Sequence, residues 1–148
     1  AVFRDEARDP EQTIPRATYA AVIPLFVSAL LDGRSPTIHG DGSQSRDFAY
    51  IDDVVAANIA AAVAPAERCS GRAYNVAGGA EQSLLDLLAI LREVIGTDVE
   101  PIHGPARVGD VRHSFADLTA AAADLDFRPQ IDIREGLTRT VAYHRDRR

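Results

Sequence analysis

The chain has 148 residues, 46% of them apolar, which is enough to fill one core and excludes a disordered chain. Its 22 acidic residues against 16 basic ones give a formal charge of −6, so the surface as a whole repels polyanions. Nucleic acid is thereby excluded as a default partner, and any anion site has to be local. All 16 basic residues are arginine, which excludes Schiff-base chemistry and lysine-assisted proton transfer from this chain.

The single cysteine, Cys69, excludes an internal disulfide and a cysteine-based metal cluster and fits a reducing compartment. In CSGRAYNV it reads as a small loop or core residue. No apolar run of about 18 residues marks a membrane span, and AVFRDEARDPEQ lacks the basic end and apolar stretch of a signal peptide. The expected location is the cytoplasm, with no membrane partner. Ala1-Val2-Phe3 reads as the inside of a strand, which points to part of a longer architecture.

Residues 4–18 carry charges, two prolines and no periodicity, the marks of a surface loop. In YAAVIPLFVSALLDG the residue before proline avoids the helical region, so a helix is predicted from Pro24 to Leu31, stopped by Gly33, with Ala20 to Ile23 extended. PTIHG reads as a short strand, GDGSQS as a turn and RDFAYI as a strand. Asp52 or Asp53 is then expected to cap a helix through VVAANIAAAVA that ends at Pro65. RAYNVAG reads as a strand before Gly78-Gly79. Ser83 is the expected N-cap of LLDLLAILREVIG, with Gly96 as its stop. VEPIH reads as a strand, GPARVGDVRHS as a loop and ADLTAAAADL as a short helix. Asp132 with Glu135 resembles a capping box at the head of a last amphipathic helix. The sum is one compact α/β domain over residues 1–148, with more helix than strand and no repeat.

Arg46 in SQSRDF and Arg107 in PARVGD sit in loops beside glycines. Guanidinium groups present rigid forks that match phosphate oxygens, so two of them converging would clamp a diphosphate. The alternative is that each is a solvated surface arginine, with Arg46 pairing to Asp47 or Asp53. Asp110 could accept hydrogen bonds from vicinal sugar hydroxyls or serve as a turn residue after Gly109. His113 in DVRHSFAD has no second acid or base at a spacing that fixes its geometry, so packing or capping is expected of it. His39 and His103 each end a short strand, and four scattered histidines give no metal-ligand spacing. Ser114 lacks a nucleophile context. No G-x-G-x-x-G follows a strand, the nearest pairs being Gly40/Gly42 and Gly78/Gly79, so no cofactor is expected to be held by this chain.

The ordered series YAAVIPLF, GDGSQSRDFAYIDDVVAAN, AYNVAGG with Ser83-Leu84, RVGDVRHSFADLTAA and GLTRTVAYHR resembles the C-terminal substrate-binding part of the extended short-chain dehydrogenase/reductase family. Within that family it is similar to bacterial nucleotide-sugar 4-epimerases of the UDP-glucose and UDP-N-acetylglucosamine type. The resemblance implies a small mixed α/β substrate lobe lacking the N-terminal Rossmann part. It implies that Arg46 and Arg107 grip a diphosphate, that Asp110 holds the ribose hydroxyls, and that Val22 and Thr37, Ile38 and His39 wall the uracil. Phe48 falls at an aromatic position of the same pocket.

Relatives more usually carry Tyr or Phe at the His39 position. They also read Asn-Val-Phe-Gly-Pro-Arg-Gln-Asp-Pro where this chain reads AVFRDEARDP and then EQTIPRA, a loop that normally borders the hexose. In the family the Rossmann part holds NAD, and a Tyr-x-x-x-Lys pair oxidises C4 of the sugar to a transient ketone. A chain without lysine cannot supply that pair, so NAD is implied for the whole architecture only, and this chain alone is expected not to epimerise. The expected partner is a UDP-sugar or related nucleotide sugar, with a separate or missing Rossmann part. Alternatives are a stand-alone UDP-sugar-binding module, an inactive remnant, or the lobe of a 4,6-dehydratase or decarboxylase. Apolar surfaces that expect the Rossmann sheet are predicted to make the isolated chain marginally stable or prone to aggregate.

Overall fold

The computed structural model describes residues 21–147; the loop expected over residues 4–18, and Ala20, lie outside them. Among the described residues six helices and five short strands follow in the order α1 (Val22–Leu31), β1 (Thr37–His39), β2 (Ser45–Asp47), α2 (Ile51–Val63), α3 (Ala66–Cys69), β3 (Glu81–Ser83), α4 (Leu84–Ile95), β4 (Ile102–Gly104), β5 (His113–Ser114), α5 (Thr119–Leu125) and α6 (Ile133–Arg145).

Helix α1 begins two residues before the expected Pro24, so Val22 and Ile23 are helical rather than extended. Pro24 is the third residue of the helix. The first-turn N–H groups have no intrahelical acceptor, so a proline there forfeits no hydrogen bond and the apolar face can start earlier. Its buried residues Phe26, Val27 and Leu30 join Ile38 of β1, Leu87, Leu88 and Leu91 of α4, and Leu137 and Val141 of α6 in the main core. Each such side chain, removed from water, stabilises by about 1.5–3 kcal/mol. A smaller cluster of Ala57, Ala121, Leu125 and Phe127 joins α2 to α5, and Cys69 packs against its edge as the sequence suggested.

The two best-signalled helices form as read. The Ser83 hydroxyl accepts from the Asp86 N–H while the Asp86 carboxylate accepts from the Ser83 N–H, closing a capping box, and Gly96 ends α4 in the left-handed conformation. Asp132 caps α6 by accepting from the Glu135 N–H at 2.8 Å. Glu135 does not return the bond; its carboxylate accepts from Arg139, one turn on.

The strands make two small sheets. β1 runs parallel to β4, pairing Thr37 with Ile102 and His39 with Gly104. β2 lies between antiparallel β3 and parallel β5. Here three expectations are corrected. The RDFAYI strand stops at Asp47, and α2 starts at Ile51 with Tyr50 as N-cap and no side-chain cap bond. Asp53 is instead buried, and its carboxylate accepts from the N–H groups of Gln130 at 3.0 Å and Ile131 at 3.1 Å. Residues 72–78 form no strand, because a strand needs a neighbour and no described strand pairs with them. That segment nevertheless runs close to the end of β2: a Cβ built on Gly78 would lie 2.2 Å from the Phe48 carbonyl oxygen, so only glycine fits.

Candidate functional site

Four segments, together with Leu84 at the head of α4, converge on one cavity of about 420 Å³. Helix α1 contributes half-exposed Val22 and Leu25 and buried Phe26 and Ala29. The approach to β1 contributes Arg34, Ser35, Pro36 and Thr37, followed by His39; β2 and the turn before it contribute Gln44 and Arg46; the loop between β4 and β5 contributes Arg107 and Asp110. One wall is therefore apolar, while the other concentrates charge in a molecule that is acidic overall.

Six of the eight residues singled out in the sequence, Val22, Thr37, His39, Arg46, Arg107 and Asp110, line this cavity. Ile38 does not. Alternation along β1 turns it the other way, and it is fully buried in the core beneath the site. Phe48 is also elsewhere: one residue beyond β2, it packs on the core and lines a small neighbouring cavity with Ile23, Tyr50 and Gly136. Both residues support the wall rather than face the opening. Gln44 and Leu84 were not singled out in the sequence. Gln44 was readable from its place between Gly42 and Arg46; its side-chain amide donates to the His39 carbonyl at 2.7 Å and fixes the turn.

The charges are arranged unequally. Arg46 donates through Nη1 to its neighbour's carbonyl, Ser45, at 2.7 Å and through Nη2 to Asp110 Oδ1 at 2.7 Å. Neither Asp47 nor Asp53 is its partner: Asp47 accepts from the Gly79 N–H at 2.9 Å, and Asp53 serves the Gln130–Ile131 turn. The Arg107 side chain is exposed and makes no hydrogen bond or ion pair with any described residue, while its backbone carbonyl accepts from the Asp110 N–H at 3.3 Å. His39 donates from Nδ1 to the Pro105 carbonyl at 3.3 Å, tying β1 to the Arg107 loop.

The guanidinium groups of Arg46 and Arg107 and the carboxylate of Asp110 supply hydrogen-bond donors suited to an anion and an acceptor suited to hydroxyls. The cavity contains no activated nucleophile, and no group of metal-binding side chains exists among the described residues. It also does not fit NAD. The glycine turns Gly40–Gly42 and Gly78–Gly79 lead into strands β2 and β3, not into a helix N-terminus that would receive a pyrophosphate. No step through that cofactor is assigned to these residues. No described helix is long and apolar enough to cross a membrane.

Comparison with known proteins gives this cavity its context. Residues 11–77 match the NAD dependent epimerase/dehydratase family. The chain is 39% identical over 128 residues to a UDP-glucose 4-epimerase of Mycolicibacterium smegmatis, covering 86% of this chain and 40% of that protein. It is 34% identical over 135 residues to a dTDP-glucose 4,6-dehydratase of Actinoplanes, covering 90% and 41%. Among solved structures, UDP-glucose 4-epimerase of Thermotoga maritima with UDP-glucose superposes with a TM-score of 0.81 at 37% identity, over 86% of this chain and 40% of that one. The UDP-N-acetylglucosamine 4-epimerase of Methanobrevibacter ruminantium, in complex with UDP-N-acetylmuramic acid, superposes with a TM-score of 0.78 at 38% identity, over 90% and 42%. The chain thus spans about 40% of the length of the relatives it matches, a mixed α/β part of their fold.

Proposed function

We propose that this chain, a member of the NAD dependent epimerase/dehydratase family, is the nucleotide-sugar-binding lobe of a 4-epimerase and holds the UDP part of the substrate. The observation that carries the reading is the convergence of Arg46 from strand β2 with Arg107 and Asp110 from the β4–β5 loop on one cavity whose opposite wall is apolar. A nucleotide sugar brings the matching set: two phosphate charges, vicinal hydroxyls and a flat base. Arg107 and Arg46 take the diphosphate, Asp110 accepts from the ribose, and Val22, Thr37 and His39 flank the base. Residues 1–148 act as one domain in this reading.

The chemistry of C4 oxidation lies outside it. When bound in the whole architecture, NAD supplies hydride transfer at the sugar; the residues of this chain bind and orient. An exposed apolar stripe on α2, Ile51, Val55, Ile59 and Val63, supports the lobe reading, since a free-standing binding module has no use for it. The 4,6-dehydratase relatives favour one further reading, the same lobe with a dTDP-sugar.

Titration calorimetry with UDP, dTDP, UMP and uridine tests this. UDP is expected to bind at least tenfold more tightly than UMP, with Arg107→Ala removing most of the difference. Equal affinity for UDP and UMP would sink the diphosphate assignment, and a preference for dTDP would transfer it to the dehydratase reading.

A further inference from the structure

The Pro105–Arg112 loop, which brings Arg107 and Asp110 to the cavity, is fastened at both ends. At its start the Gly40 N–H donates to the Gly104 carbonyl at 3.0 Å, and His103 donates from Nδ1 to the Gly40 carbonyl at 2.8 Å. At its far end the shortest ties pass through one residue, Ser45. The Ser45 N–H donates to the Arg112 carbonyl at 2.8 Å, and the Ser45 carbonyl accepts from Arg46 Nη1 at 2.7 Å. Its hydroxyl donates to the Glu81 carboxylate and receives His113 Nδ1–H at 2.8 Å, a proton that His113 shares with Glu81 at 3.2 Å.

We infer that Ser45, Glu81 and His113 form a positioning cluster that sets the Pro105–Arg112 loop, and with it Arg107 and Asp110, against Arg46; the inference rests on the nucleotide-sugar reading of the cavity. Three observations converge on it. Strand β5 has only two residues, so backbone pairing alone holds the loop end weakly. The cluster supplies one side chain from each of the three strands of that sheet, β2, β3 and β5. Ser45 is buried, and the same residue that anchors the loop also orients the Arg46 guanidinium, so the two sides of the clamp share one support. Arg112 adds a weaker tie, donating to the Ser43 hydroxyl at 3.2 Å. The Ser45 hydroxyl, followed by His113, holds the Glu81 carboxyl below its ordinary range, so the acceptor is ionised in neutral solution.

The test compares Ser45→Ala, Ser45→Thr and Glu81→Gln. Amide hydrogen exchange on the chain without nucleotide is expected to speed up about tenfold or more at the N–H groups of residue 45 and Asp110, the ones bonded to the loop, in Ser45→Ala and Glu81→Gln, with α4 and α6 unchanged and Ser45→Thr restoring protection. Calorimetry with UDP-glucose is expected to show affinity weakened roughly 3- to 30-fold in the same two variants. In an Arg107→Ala/Asp110→Ala background that loss should shrink to the small part carried by Arg46, since a positioning residue acts through the groups it positions. Unchanged exchange of the loop in Glu81→Gln, which is surface-exposed and tolerates the change, overturns the inference. So does a full loss of affinity in the double-alanine background. A wild-type chain that binds no UDP-glucose overturns the reading of the cavity instead, while the exchange data still decide the cluster.

Discussion

Arg46 and Asp110, 64 positions apart in the chain, meet in a 2.7 Å ion pair on the wall of the cavity. Two residues assigned to different parts of a nucleotide, its diphosphate and its ribose, therefore hold each other. About a third of each side chain is exposed, so solvent screens the pair and it contributes only about 0–1 kcal/mol. A diphosphate offers Arg46 a stronger partner than one carboxylate does.

The first prediction separates stability from binding at this pair. Arg46→Ala should change unfolding stability in urea by less than about 1 kcal/mol. It should weaken UDP binding by about 1.5–3 kcal/mol, the worth of a charge-assisted contact, which is roughly 10- to 150-fold. A variant that loses several kcal/mol of stability and no affinity would make Arg46 a fold residue rather than a binding one.

Asp53 is expected to behave in the opposite way. Its buried carboxylate is the acceptor for two backbone N–H groups at the turn before α6, and nothing else in the described structure replaces it. Asp53→Ala leaves both donors unpaired and should cost about 2–4 kcal/mol by chemical denaturation. Asp53→Asn keeps one acceptor oxygen and should fall between. If UDP affinity dropped while stability held, Asp53 would belong to the site and not to the fold.

These two aspartates also show what could be read from sequence. Asp52 and Asp53 look like helix caps because they precede an apolar run, and local pattern carries no hint of a partner 77 positions away. The helices with local stop and start signals, Ser83 to Gly96 and the one after Asp132, form as read because their caps lie within three residues of the groups they satisfy. The RAYNVAG segment is the reverse case. Its alternation is that of a strand, but strand formation needs a pairing edge, which a single segment cannot encode. In the candidate site, Arg46, Arg107 and Asp110 stood out beside glycines along the chain and all three line the cavity, Arg46 from strand β2 rather than from the loop expected of it. Ile38 was placed one step off, because alternation sends it into the core while Thr37 and His39 face the cavity. The Ser45–Glu81–His113 cluster was not legible, since its members lie 36 and 68 positions apart and only the β3–β2–β5 sheet brings them together.

Asp124 ties Tyr74 and Arg72 together, accepting from the tyrosine hydroxyl at 2.9 Å and the guanidinium at 2.7 Å. The Tyr74 hydroxyl holds the Asp124 carboxyl below 3.8, aided by Arg72. A carboxyl with a depressed folded value contributes stability that is present above its unfolded value and is lost as pH falls through the folded one. Desolvation, then the Asp124 bond, raises the Tyr74 phenol above 10.0, so its contribution is present below that value and is lost as pH rises through the raised one. Thermal melts should therefore fall off below about pH 4 and again above about pH 10. Asp124→Asn should flatten the acid limb and Tyr74→Phe the alkaline limb. Identical slopes in variant and wild type would show that other groups govern both limbs.

The last prediction concerns the stripe on α2. Ile51, Val55, Ile59 and Val63 recur every four residues, so they share one face of the helix, and their exposures run from 49% to 78%. The opposite face buries Ala57 against α5, so the helix is anchored and the stripe cannot simply turn inward. Water in contact with four branched side chains is unfavourable, and two copies of the chain can relieve it by pairing these faces. The isolated chain should therefore self-associate in sedimentation velocity at tens of micromolar. Ile59→Glu together with Val63→Glu should shift it toward monomer without lowering its melting temperature, because neither side chain contributes to a buried cluster. A wild-type chain that sediments as a monomer across that range would contradict the prediction, and so would a double variant that associates as strongly as the wild type.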